Sequence, residues 1–460
     1  MTMESRRRFI GKLANSAGAA AICSAFAHFE GRLSAQDTTT TVGFGPLREA
    51  IDESTGLPLI KLPEGFRYAS FGWTNEPMAD GSKTPGAHDG MAVIAETADE
   101  IVLCRNHEVG GPGTAFGTRE HCYDSSATGG CSNVRFNQRT EKFVSAFPSL
   151  SGTVKNCAGG ATPWGTWLSC EETVVDSQTK LESKIENTFA KPHGFVFEVP
   201  VEGQINPRPI ESLGRFVHEA VAIDPGSGIV YLTEDANTAG FYRMVPQSSE
   251  DLHAGGRFQM MAVKQTHDVR KNVDVSSTFD VTWIDIADRL RAHSPGTDDG
   301  LGVYSQGKKS GGLTFARLEG CAVHDGKVYI TATSGGNANA GQLWQYDPKE
   351  EQLRLVFESP SPEVLDMPDN LAVSPRGGIL LCEDGNYGLQ RLQVLTTDGT
   401  LFPLAVNNIQ LNGLHGHTGD FRSSEWAGAT FSADGQWLFV NIQNPGVTLA
   451  ITGPWRDDLI

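Results

Sequence analysis

The chain has 460 residues, 39% of them hydrophobic and 20% charged, with a formal net charge of −18. Such acidity excludes nucleic acid or an anionic membrane as the principal partner, because like charges repel. Beyond the N-terminus no stretch reaches the roughly 20 apolar residues needed to span a bilayer, and the length allows either several ordinary domains or one large array of repeats.

In chain order, Ser5-Arg6-Arg7-Arg8-Phe9-Ile10 precedes an Ala-rich apolar stretch over residues 13–29 and the small-residue site Leu33-Ser34-Ala35. This order is that of a twin-arginine export signal. Residues 1–35 are therefore expected to be removed, with Ala25-Phe26-Ala27 as an alternative cleavage site. The twin-arginine export machinery is an expected partner, and the mature chain is expected to be periplasmic or secreted. Residues 36–57 read as a leading arm with a mobile Thr-rich run. Residues 62–71 open the ordered part as a strand, and residues 36–460 are expected to form one domain.

Six segments then repeat one pattern. Asp89-Gly90-Met91-Ala92-Val93 leads to an apolar run at 101–106, and Asn156-Cys157-Ala158-Gly159-Gly160 leads to 166–172. Glu219-Ala220-Val221-Ala222-Ile223 passes through Asp224-Pro225-Gly226 to 229–235, and Glu319-Gly320-Cys321-Ala322-Val323 through Asp325-Gly326 to 328–333. Asp369-Asn370-Leu371-Ala372-Val373 passes through Gly377-Gly378 to 379–384, and Ala427-Gly428-Ala429-Thr430-Phe431 through Asp434-Gly435 to 437–441. Each copy reads as two strands and a turn. Short β units with Gly and Asp at their turns predict an all-β fold, a six-bladed β-propeller with loop and short helical excursions over one face.

In an antiparallel hairpin the start of the first strand and the end of the second share one rim. The repeat therefore predicts that Asp89, Cys170, Glu171, Glu172, Glu219, Glu234, Asp235, Glu319, Asp369, Asn370, Glu383 and Asp384 meet at one mouth. Turn chemistry accounts for a single such acid, but not for acids at matched strand ends. Crowded carboxylates drive each other's pKa up, and bound metal is the simplest relief. Among the seven cysteines left after the signal, Cys170 ends its strand beside Glu171 and Glu172, where a thiolate suits a metal. Cys122 and Cys131 share a loop and can pair. Cys104, Cys321 and Cys382 read as buried thiols. His107 is either a ligand or a hydrogen-bonded structural histidine.

Two stretches break the repeat. Residues 246–315 read as an excursion in which 281–292 has partly helical spacing. Residues 406–426 form a second, whose His415 and His417 are expected to be solvated rather than ligands.

The run Pro163-Trp164-Gly165-Thr166-Trp167-Leu168-Ser169-Cys170-Glu171-Glu172, with Asn156-Cys157-Ala158-Gly159-Gly160 before it, closely resembles the PhoX family of alkaline phosphatases. The resemblance extends to His218-Glu219-Ala220, Arg317-Leu318-Glu319-Gly320, Pro368-Asp369-Asn370, Cys382-Glu383-Asp384-Gly385 and residues 438–455. It implies a six-bladed propeller hydrolysing small-molecule phosphate monoesters at a site of ferric iron (Fe3+) and calcium (Ca2+). By resemblance, Cys170, Glu219 and Glu319 hold iron, and Asp369, Asn370, Glu383 and Asp384, with Glu171 or Glu172, hold calcium. Arg317 binds the phosphoryl group, with Cys170 and Glu319 the other residues of the catalytic centre. A monomer is expected. Oxygen ligands suit calcium, thiolate with carboxylate suits a transition metal, and a guanidinium makes bidentate phosphate contacts. Two rival readings remain: a calcium-dependent lactonase or esterase, with no use for Cys170, and a non-catalytic calcium-stabilised binding propeller.

Overall fold

All six repeated segments form antiparallel hairpins in the computed structural model. It describes residues 43–179, 189–248, 251–294 and 296–460; the expected export signal and the Thr-rich run lie outside them. The first strands are His88–Glu96, Asn156–Ala161, His218–Ile223, Leu318–His324, Pro368–Ser374 and Trp426–Phe431. Their partners are Glu100–His107, Trp167–Glu171, Val230–Glu234, Lys327–Ala332, Gly377–Glu383 and Leu438–Ile442. Each first strand packs against the next, and the last packs against the first, so the six close a ring.

Small residues make that ring possible. A methyl group on Gly90 would lie 2.5 Å from Ala158 Cα, and one on Gly320 would lie 2.7 Å from the Asp369 carbonyl. Only glycine lets neighbouring backbones approach so closely. Polar side chains then fasten one hairpin to the next. Thr233 Oγ1 donates to the Glu319 carbonyl (2.6 Å), Thr331 Oγ1 to that of Asp369 (2.7 Å), Asn441 Nδ2 to that of Asp89 (2.5 Å) and Asn106 Nδ2 to that of Cys157 (2.9 Å).

Outward from the ring the hairpins extend into sheets, and the apolar core lies between adjacent sheets. The result is an all-β, propeller-like arrangement. Val196–Val199, Phe241–Pro246 and Gln342–Asp347 are third strands, as their sequence positions suggest. Arg67–Phe71 pairs with Val447–Thr452, so the start of the domain completes the sheet at its end. The later part of the leading arm is also recruited: Arg48–Ala50 pairs with Ile60–Leu62, which pairs with Leu401–Asn407.

Two expectations need correction. Residues 281–292 form no helix; Thr278–Asp285 is a strand between Gly256–Val263 and Gln352–Glu358, and it joins two groups of strands into a nine-stranded sheet. Trp283 anchors this strand, stacked beneath the Arg243 guanidinium at 4.3 Å and donating to Tyr346 Oη at 3.3 Å. Among the described residues of this excursion, the α-helix is Gly302–Lys309. Cys122 and Cys131 are both free thiols. Cys131 is buried and donates to Asn106 Oδ1 at 3.0 Å.

Candidate metal centre

One backbone bond recurs in every hairpin and sets the geometry of the mouth. The residue after the second strand donates its N–H to the carbonyl of the residue before the first. Glu108 donates to Ala87, Glu172 to Lys155, Asp235 to Val217, Thr333 to Arg317, Asp384 to Met367 and Gln443 to Glu425, at 2.8–3.3 Å. Ala87, Lys155, Arg317 and Met367 have φ of 46–51°, which turns the chain sharply into the strand. The residues that face inward come from three positions of the hairpins: the residue before the first strand, the second residue of that strand, and the residue after the second strand.

Thirteen such residues line a cavity of about 280 Å³. Lys155, Arg317 and Glu425 precede their strands. Asp89, Cys157, Glu219, Glu319 and Asp369 are second residues. Glu108, Glu172, Asp235, Asp384 and Gln443 follow the hairpins. Of the expected site residues, Glu172, Glu219, Arg317, Glu319, Asp369 and Asp384 are thus brought together, along with Asp89 and Asp235.

Cys170, Glu171, Asn370 and Glu383 are not among the lining residues; strand alternation turns the last three away from the cavity, whereas Cys170 sits deeper in its strand, away from the mouth. Glu171 and Glu383 precede an inward position by one residue, and Asn370 follows one. Cys170 pairs with Val196 and is buried in an apolar cluster with Leu168 and Ile210. Glu171 accepts N–H bonds from Val154 (2.9 Å), Gly194 (2.8 Å) and Phe195 (3.1 Å) and contacts His193 Nδ1 at 2.6 Å. Glu383 accepts from the backbone N–H groups of Asp366 and Arg391, both at 3.0 Å, and pairs with the Arg391 guanidinium at 2.6 Å. Glu234 likewise turns inward to its sheet, accepting from Gly240 N (2.8 Å) and Tyr242 Oη (2.7 Å). Asn370 accepts from Gly428 N at 2.7 Å and lines a separate cavity of small residues on the other side of the ring.

Cys157, Glu108, Lys155, Glu425 and Gln443 escaped the sequence reading. For Cys157 the signal was present. Asn156-Cys157-Ala158 aligns with His218-Glu219-Ala220 and Leu318-Glu319-Gly320, so the thiol occupies the position of the two glutamates. His107 is buried between the Gly86 carbonyl and Ser132 Oγ, His415 pairs with Glu76, and His417 lies 3.2 Å from the Thr74 carbonyl.

Nine carboxylates line the cavity against two cationic side chains, Lys155 and Arg317. Burial, and then the charges of their neighbours, hold Asp89, Glu219 and Glu319 well above the usual carboxylate range. Burial raises Asp235 and Asp369 to about 6. The Cys157 thiol is pushed up by burial and by Glu219. Arg317 reaches Asp235 at 3.1 Å and Glu319 at 2.5 Å. One carboxylate oxygen from each of Asp89, Glu108 and Glu425 lies within 4.8 Å of the other two. Asp89 Oδ1 is buried without a hydrogen-bond partner. An orphaned buried carboxylate oxygen facing other carboxylates fits a cation, as does the donor set of oxygens and one thiol.

Fold and site together define a propeller-like protein with a polyanionic, cation-seeking pocket. The chain belongs to the family described as alkaline phosphatase PhoX, which matches residues 42–446. That membership makes it a phosphatase. Comparison with curated proteins gives no match. Among solved structures, Pseudomonas fluorescens PhoX in complex with vanadate, a transition state analogue, is similar with a TM-score of 0.65 and 17% identity, over 89% of this chain and 98% of that one. This likeness establishes the shared fold. A gluconolactonase from Xanthomonas campestris gives a TM-score of 0.39 at 12% identity, over 84% of this chain and 97% of that one.

Proposed function

We propose that this phosphatase is an exported, monomeric phosphomonoesterase acting on small-molecule phosphate esters, with iron and calcium at the mouth of a six-bladed propeller. Residues 1–35 serve as its twin-arginine signal and residues 36–460 as one domain. In this reading the nine-stranded sheet is two blades joined by Thr278–Asp285. Cys157, Glu219 and Glu319 would hold iron. Asp89, Glu108 and Glu425 would hold calcium, with Glu172, Asp369 and Asp384 completing the oxygen ligands.

When bound, such cations supply Lewis acidity and neutralise the phosphate charge. The chain's residues do the rest. Arg317 binds the phosphoryl oxygens through its planar fork, held in place by Asp235 and Glu319. The closed ring and the carbonyl locks from Thr233, Thr331 and Asn441 hold Glu319, Asp369 and Asp89 close together against their mutual repulsion. Cys157 offers its sulfur from a position where, without a cation, burial keeps it protonated.

The observation that carries this reading is the convergence of nine carboxylates and a thiol on one cavity of about 280 Å³. Elemental analysis of protein exported by its native route, paired with hydrolysis of p-nitrophenyl phosphate, tests it. Iron and calcium together with phosphate release are expected. Calcium without iron would favour the lactonase reading, and no hydrolysis with any metal would overturn the proposal.

A further inference from the structure

We propose that Lys155 is a second substrate-binding cation, which grips the ester's phosphoryl group together with Arg317; this rests on the metal-dependent phosphatase reading above. The two residues are equivalents in different hairpins. Each stands one position before its first strand in a left-handed conformation, with φ of 50° for Lys155 and 46° for Arg317. The N–H of each donates to the preceding hairpin, Lys155 to the Val109 carbonyl at 3.0 Å and Arg317 to that of Ala236 at 2.8 Å. Each head reaches the acid that ends that preceding hairpin, Lys155 Nζ to Glu108 at 3.3 Å and Arg317 Nε to Asp235 at 3.1 Å. Each also reaches an acid of its own hairpin, Glu172 at 2.6 Å and Glu319 at 2.5 Å.

Their surroundings join. Glu172, which holds Lys155, and Asp235, which holds Arg317, line the same cavity, so both cationic heads border one space. Both Glu108 and Glu172 are candidate metal ligands. Once cations occupy those carboxylates, the ammonium keeps its place on the cavity wall but loses much of its counter-charge. Its side chain is 39% exposed, so an incoming anion can reach it. A phosphate ester presents several equivalent oxygens; a guanidinium takes two in its fork, and an ammonium serves a further one as a compact charge. Were Lys155 only a clamp between Glu108 and Glu172, its removal would loosen metal rather than weaken phosphate.

The test uses the full, metal-loaded enzyme with Lys155→Met, Lys155→Gln and Lys155→Arg. Its readouts are kcat and KM for p-nitrophenyl phosphate, inhibition by inorganic phosphate, and calcium and iron content. Loss of one charge-assisted contact should raise KM and the inhibition constant of phosphate by about tenfold or more in the Met and Gln variants. Metal content should stay at the wild-type level, and Arg should recover most of the affinity. Unchanged KM and phosphate inhibition would overturn the proposal, as would activity lost in proportion to lost metal. Wild-type turnover in the same assay tests the parent reading separately, since its absence would sink that reading before any variant is compared.

Discussion

Cys157 and Cys170 lie 13 residues apart on the two strands of one hairpin, with the Cys157 sulfur 3.9 Å from the Cys170 carbonyl. Only Cys157 lines the cavity. Cys157→Ala should therefore strip iron and lower phosphatase activity by more than about 100-fold, a loss larger than that of an outer-shell partner. Cys170→Ala should leave metal content intact and lower only stability, since it removes a buried apolar contact. Elemental analysis and p-nitrophenyl phosphate turnover of both variants check this, and iron lost from the Cys170 variant alone would reverse the assignment. The residues most visible in sequence were not always the ones that face the site. Glu219, Glu319 and Asp369 were legible because strand starts repeat in phase. Glu171 and Glu383 lie outside the cavity lining, and an acidic pair does not reveal which member points inward. That depends on register, and one residue of slip exchanges the faces. Lys155 and Glu425 precede the strands, where the repeat shows no common residue type.

At the level of elements, the hairpins were readable from apolar runs and turn residues, whereas the segments that brace them were not. The buried bridge of Asp124, His193 and Glu171 belongs to the second group. It ties the loop after residue 108, the segment before Val196–Val199 and the end of Trp167–Glu171, with contacts of 3.4 Å and 2.6 Å at the two imidazole nitrogens. No periodicity links residues so far apart in sequence. Burial opposes charge on His193, but Glu171 and then Asp124 outweigh it and raise its pKa to about 9. A group raised in the folded state stabilises fully below its unfolded value and loses that contribution as pH climbs through the folded one. From an unfolded value of about 6.5 the contribution is roughly 3 kcal/mol, present at pH 6 and gone above pH 9 to 10. Urea unfolding of wild type and His193→Gln at pH 6 and pH 10 measures it. The gap between the two proteins should narrow by about that amount at the higher pH, and a gap that stays constant would show that His193 does not carry its charge in the fold.

Over the whole molecule, the same ring that creates the site also concentrates its cost. Hairpins from residue 88 to residue 442 each contribute to one mouth, and the strand Arg67–Phe71 closes the structure against its C-terminal sheet. Crowded carboxylates strain this closure unless cations or protons relieve them. Chelation should therefore lower the melting temperature of the entire domain in one transition, not unfold a loop. A cation bound only by the folded state contributes about 4 kcal/mol at a free concentration 1,000 times its Kd. The sign of the pH effect follows from the raised carboxyls. Asp235 and Asp369, at about 6, take up protons as pH falls below that value, and the more strongly raised Asp89, Glu219 and Glu319 do so earlier. Metal-free protein should consequently regain stability on acidification, so the drop caused by chelator should be larger at pH 8 than at pH 5. Calorimetry with and without chelator at both values, followed by calcium add-back, separates the outcomes. A melting temperature indifferent to chelator at pH 8 would mean that protons alone hold the carboxylates together, and the cation reading of the mouth would fall with it.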